Sequence, residues 1–251
     1  MVRGKRFGAV VAMIGFVVPS LACKREVDTT PPPVKPFSIT AEDNCVIAGT
    51  SYPVSKPNAP AIILLHAQGG NRGDWEPFAL RAQRDGYCVV APDIRGHGDS
   101  ACAGRSYRAF EKEDWLLAEH DVRRLKQKAL DDGCDPNNIF LAGAGIGANL
   151  ALRYALTDPQ IQAAVLFSPG ESYLGVSMPG LGLEARRLPI LVIAAEGDSY
   201  SAQSAERLHR DASGYTELRL HAGTAFGTDL LVGAPESANL VFRWLRDIWE
   251  Q

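Results

Sequence analysis

The sequence predicts an α/β fold, a mostly parallel central sheet with helices on both faces. Three observations predict it. Short unbroken apolar runs recur at Ala61–Leu65, Tyr87–Ala91, Ile139–Leu141, Ala163–Phe167 and Pro189–Ala195, as expected for strands covered on both sides. Stretches with apolar residues at helical spacing separate several of these runs, among them Glu113–Asp132. Finally, the segment IFLAGAGIGANLAL, Ile139–Leu152, passes from strand to helix through a glycine-rich turn with no room for a loop, which makes a sharp elbow. With 251 residues, 46% of them hydrophobic, the chain has enough apolar surface for one sizeable core.

Taken in order, the chain opens on a targeting segment. Arg3, Lys5 and Arg6 form a positive start, Phe7–Val18 is uncharged and apolar, and Leu21-Ala22 leads to Cys23. Twelve apolar residues are too few to span a bilayer. The Leu-Ala-Cys ending resembles a bacterial lipoprotein cleavage site, which implies a signal peptide over 1–22, lipid on Cys23 and an exported, membrane-anchored protein. Ser20 and Pro19 depart from the usual residues of that site. Removing 1–22 takes away three cations and no acid, and lowers the formal charge from −3 to −6. Residues 23–36, with Pro31-Pro32-Pro33 and Pro36, read as an extended tether, and 37–251 as one domain.

Phe37–Ala41 and Cys45–Tyr52 are expected to form a hairpin of edge strands around Asp43-Asn44. Asp74 is expected to cap a helix running to Arg84, with Pro77 in its first turn and Trp75, Phe78 and Ala82 on one face. In Glu113–Asp132, Trp115, Ala118, Val122, Leu125 and Ala129 share a face, with acids at the start and Arg and Lys towards the end, as the macrodipole favours. Gly170–Leu188 reads as an insert at a pocket rim, Leu218 and Leu220 as a last strand, and Leu240, Val241, Trp244, Leu245 and Ile248 as the inner face of a closing helix.

Composition excludes some functions. The net charge of −3 leaves no basic face for nucleic acid. No C-x-x-C or H-E-x-x-H appears and the five histidines are scattered, so no metal site is expected. Once Cys23 is set aside, Cys45, Cys88, Cys102 and Cys134 remain. An exported location permits disulfides without identifying the pairs, and Cys88, inside an apolar strand, reads as a buried hydrophobe. Gly143-x-Gly145-x-x-Ala148 also fits a weak dinucleotide fingerprint, but that chemistry needs an acid at the end of the next strand, and Glu171 comes only after Pro169-Gly170. No cofactor is expected.

Three blocks together carry a family likeness. His66-Ala67-Gln68-Gly69-Gly70 follows the first buried strand, Asp93-Ile94-Arg95-Gly96-His97-Gly98-Asp99-Ser100 the second, and Gly143-Ala144-Gly145-Ile146-Gly147 the third. In this order they resemble the α/β-hydrolase superfamily, with an esterase or dienelactone-hydrolase character. The likeness covers Phe37 to the C-terminus and implies about eight strands. It gives His97 a structural role in setting the loop near the pocket.

Position by position, the likeness implies a degenerate triad. The elbow of such enzymes is G-x-S-x-G with a strained central nucleophile, and here that position is Gly145, which has no attacking atom. Asp198, after the strand ending Ala194-Ala195, matches the acid; it also suits a helix cap or turn. The base is expected in Gly223-Thr224-Ala225-Phe226-Gly227-Thr228-Asp229-Leu230, where Phe226 replaces histidine and cannot accept a proton. His66 and His221 are the histidines available to a non-standard site. Backbone amides of Gln68 and Ile146 match the oxyanion donors, so the expected partner is a small carbonyl or carboxylate ligand. The function expected is therefore a non-catalytic, lipid-anchored pseudohydrolase, and the alternative a carboxylic ester hydrolase with an unusual site. Receptors built on this fold with a damaged triad illustrate the first.

Overall fold

The computed structural model describes residue 1, 32–179 and 187–250. The signal segment and the lipidation position Cys23 lie outside the described residues. Strands β1 (Lys35–Thr40), β2 (Val46–Tyr52), β3 (Ala61–Leu65), β4 (Cys88–Pro92), β5 (Ile139–Ala144), β6 (Ile161–Phe167), β9 (Ile190–Ala195) and β10 (Thr216–His221) form one sheet; β7 (Ser172–Tyr173) and β8 (Val176–Ser177) form a separate small hairpin. The order across the large sheet is β1-β2-β4-β3-β5-β6-β9-β10. The first two pairings are antiparallel and the rest parallel. The expected sheet of about eight strands is therefore present.

Helices are α1 (Glu76–Arg84), α2 (Lys112–Asp131), α3 (Ile146–Thr157), α4 (Ser199–Asp211), α5 (Leu230–Gly233) and α6 (Glu236–Trp249). Strand alternation sends side chains to two cores. Ile63 and Leu65 of β3 face α2, α3 and α4, beside Leu125, Leu150 and Leu208. Ile62 and Leu64 face α1 and α6, where Phe78 stacks on Phe242 at 4.7 Å. Because both faces are covered, β3, β4, β5 and β9 are buried at every position, which is why they read as continuous apolar runs.

Three expectations need correction. Asp74 is not the cap: Asn71 caps a short 3-10 turn over Arg72–Trp75, and Asp74 closes a capping box from its third position before α1 begins. Only β1 of the hairpin is an edge strand, because β2 pairs on its other side with β4. The tether joins the domain earlier than expected, since β1 starts at Lys35 and the buried Gln83 side chain donates to the carbonyls of Pro32 (2.9 Å) and Pro53 (2.6 Å). A disulfide links Cys45 to Cys102, while Cys88 and Cys134 are buried free thiols.

Candidate functional site

The site is built at the C-terminal ends of the parallel strands. At the end of β5 the Gly145 amide donates to Phe167 O at 2.9 Å, and its carbonyl accepts from Ala148 at 3.0 Å and Asn149 at 3.3 Å, so α3 starts at once. Gly145 sits at φ 53° and ψ −121°, a conformation costly for any residue with a Cβ. The flanking glycines do different work. A Cβ on Gly143 would fall on the Gly147 carbonyl, and one on Gly147 on the carbonyls of Leu65 and His66 at the end of β3. They permit the close crossing of β5, α3 and β3 that makes the elbow.

Above the elbow lies an aromatic ring. A Cβ at position 145 would stand 2.9 Å from Phe226 Cζ, 3.2 Å from Phe226 Cε1 and 3.4 Å from Ala67 Cβ. The sequence places these residues 81 positions apart. Folding brings Gly145 and Phe226 together, and the ring stands against the space a side chain at 145 would enter. Phe226 is 38% exposed, with Tyr173 edge-on to it at 6.3 Å. The following residue is locked, because Gly227, at φ 59°, donates its amide to the buried Ser168 Oγ at 2.9 Å.

Asp198, expected at the acid position, caps α4 through Oδ1, which accepts from Ser201 N at 3.3 Å. Its Oδ2 is buried with no hydrogen-bond partner among the described residues. An orphaned buried carboxylate oxygen is uncommon and calls for an explanation. In a working triad that oxygen accepts from the imidazole N–H of the base, and no imidazole stands at 226. Beside it, the Tyr173 hydroxyl donates to Ser168 O at 3.2 Å and pairs with Ser201 Oγ at 3.1 Å; burial, reinforced by the charge of Asp198, pushes its pKa up to about 12.

The two spare histidines are committed elsewhere. His66 is fully buried, with Nδ1 2.7 Å from Ala67 O and Nε2 accepting from Ile94 N at 2.8 Å. This fixes the neutral tautomer, and burial lowers its pKa to about 4. Neither nitrogen is free to take a proton from a nucleophile. His221 turns towards α6, where Nε2 meets Ser237 Oγ at 2.8 Å and Nδ1 lies 3.2 Å from Glu236 Oε1. That chain of hydroxyl, imidazole and carboxylate has the connectivity of a triad, but Ser237 is 0% exposed, so its oxygen is closed to substrate.

The remaining loop residues are structural. His97 accepts from Gly69 N at 3.2 Å, stacks on Tyr107 at 3.9 Å and holds the loop after β3, the role expected of it. Arg95 bridges Asp121 and Asp43, and Asp93 binds Arg72 and the Asp99 amide. The amides of Ile146 and Gln68 donate to no protein acceptor among the described residues. Glu171 forms an exposed ion pair with Arg207 at 2.9 Å. Sequence reading missed Ser168, Tyr173 and the buried Asn149, which ties α3 to Gly170 and Val176 on the β7–β8 hairpin. The Ser168-Pro169-Gly170 break was the available signal.

Sheet order and elbow together define a class: α/β proteins that present one tight strand-to-helix turn at the carboxyl edge of the sheet. This chain belongs to the Alpha/beta hydrolase family, whose profile matches residues 62–250. No curated protein matches it. Among solved structures it is similar to the acetyl xylan esterase from Paenibacillus sp. R4, at 15% identity and a TM-score of 0.70, covering 85% of this chain and 83% of that one. It is also similar to the esterase Pf2001 of Pyrococcus furiosus, at 20% identity and TM-score 0.65 over 94% and 97% of the two chains. The α/β hydrolase GrgF from Penicillium sp. sh18 gives 16% identity and TM-score 0.69 over 86% and 98%. At these identities the likeness is one of fold.

Proposed function

We propose that this protein is an exported, lipid-anchored pseudohydrolase that binds a ligand or partner rather than cleaving an ester. The observation that carries this reading is the Phe226 ring standing 2.9 Å from where a Cβ at Gly145 would be, so that neither an attacking oxygen nor a base occupies the elbow. The orphaned Asp198 Oδ2 fits the same history, an acid left without the imidazole it would orient. The amides of Ile146 and Gln68 support a small carbonyl or carboxylate as ligand, since they lack protein acceptors among the described residues. Anchoring rests on the Leu-Ala-Cys23 ending and the apolar run before it. The esterase alternative draws on the Ser237, His221 and Glu236 relay, whose closed hydroxyl counts against it.

The deciding experiment treats the purified full chain with a fluorophosphonate probe and a panel of short-chain esters. No labelled serine and no turnover above buffer are expected. Stoichiometric labelling of any serine, or turnover abolished by Asp198→Ala or Ser237→Ala, overturns the proposal.

A further inference from the structure

A second recess, a cleft of about 560 Å³, opens between β2, the start of α1 and the loop after β4. That volume lies within the roughly 300–1,000 Å³ of small-molecule sites. Gly69 and Gly70 line it, whereas Ala67 of the same loop faces Gly145, so the cleft is separate from the elbow. Its walls are held together by Arg72. The Arg72 amide donates to the buried Asp93 carboxylate at 2.8 Å, its guanidinium binds the same carboxylate, and a second guanidinium nitrogen reaches Asp99 at 2.7 Å. This clamp ties the loop after β3 to the loop after β4.

The polar groups left over are mostly hydroxyls. Strand alternation puts Thr50 and Tyr52 on one face of β2, towards α1. Tyr52 is only 4% exposed, yet its hydroxyl has no hydrogen-bond partner among the described residues. Buried polar groups are normally paired, so one left open on a cleft calls for an explanation. Burial, reinforced by the Glu76 charge, raises the Tyr52 pKa and keeps the group neutral, able both to donate and to accept. Tyr107 brings a second hydroxyl without a partner among the described residues, 3.4 Å from where a Cβ on Gly69 would stand. At the rim, Arg108 lies over the Tyr107 ring at 4.8 Å and Glu76 opens α1, neither with a counter-ion among the described residues.

We propose that this cleft binds a sugar, whose ring hydroxyls meet Tyr52, Thr50 and Tyr107 while Glu76 and Arg108 close the rim. This ligand is additional to the one proposed at the elbow. Three features select the class. Sugar hydroxyls donate and accept at once, as do the phenol and threonine hydroxyls that face them. A free anion finds little here, because the Arg72 guanidinium is already engaged by two carboxylates. An apolar ligand leaves the Tyr52 hydroxyl unpaired, and sites built around such a group reject ligands that cannot bond it.

The test is isothermal titration of the full chain with cellobiose, maltose, lactose and N,N′-diacetylchitobiose, and with the zwitterionic dipeptide alanyl-alanine. At least one disaccharide is expected to bind saturably, one per chain. Tyr52→Phe removes a single hydroxyl and keeps the ring. It should weaken that binding about tenfold and leave the melting temperature unchanged or higher, since no protein hydrogen bond is lost. Arg108→Ala, at an exposed position, should weaken the same sugar by a similar factor. Phe226→Ala should leave it unaffected, which separates this site from the elbow and from any ligand there. Failure of all four sugars to bind, an affinity unchanged in both Tyr52→Phe and Arg108→Ala, loss of the sugar in Phe226→Ala, or binding of alanyl-alanine alone would overturn the proposal.

Discussion

Phe226 and Gly145 behave as one packing unit, and substitutions there are expected to be strongly non-additive. Gly145→Ser alone meets the φ of 53° and the Phe226 ring together, and should cost about 1–3 kcal/mol, read as a lower melting temperature. Phe226→His removes the ring edge and puts an imidazole at the position expected for the base. The double variant is therefore expected to hydrolyse activated esters measurably while each single variant stays inert; a folded, wholly inactive double variant would show that the oxyanion or acid geometry has drifted. His66 makes a separate prediction about pH. Its folded pKa of about 4 lies below the ordinary imidazole value of 6.5, so the unfolded chain binds the extra proton first as pH falls. This contribution is fully present above pH 6.5 and is lost between there and pH 4, by about 3 kcal/mol at most. Denaturant midpoints measured across that range should fall in the wild type, and the part due to His66 should vanish in His66→Gln.

At the scale of elements, α3 depends on how closely it crosses β3 and β5. Gly147→Ala drives a methyl into the carbonyls of Leu65 and His66, with backbone on both sides and no flexible side chain to yield. It should cost more than Gly145→Ser, at about 3 kcal/mol or above, measured by chemical denaturation. For α4 the order reverses expectations for a catalytic acid. Asp198→Asn keeps a capping oxygen for Ser201 N and should be nearly neutral, while Asp198→Ala should lose about 1 kcal/mol. Most elements were legible because periodicity is local: β3, β4, β5 and β9 announce two-sided burial, and α2 announces one-sided burial. The misreadings came from non-local facts. Nothing near β2 says that β4 pairs with its second edge, and Asn71 was passed over because the 3-10 turn it caps carries no apolar repeat.

For the whole molecule, the chain enters the sheet at Lys35, beside Ser51, at the end of the sheet opposite the elbow. Full-length protein is expected to partition with membranes and Cys23→Ser to be soluble; unchanged partitioning of that variant would sink the anchor. The sequence by itself determined the fold class, the elbow and the identity of the residues at each triad position, because apolar periodicity, glycine spacing and missing functional groups are properties of the chain in order. Only the tertiary structure decided that Phe226 stands over Gly145, that Asp198 keeps an oxygen unpartnered among the described residues, and that His66 and His221 are bonded elsewhere. Those facts depend on contacts between residues dozens of positions apart, and such contacts arise only when the sheet closes and sets distant loops side by side.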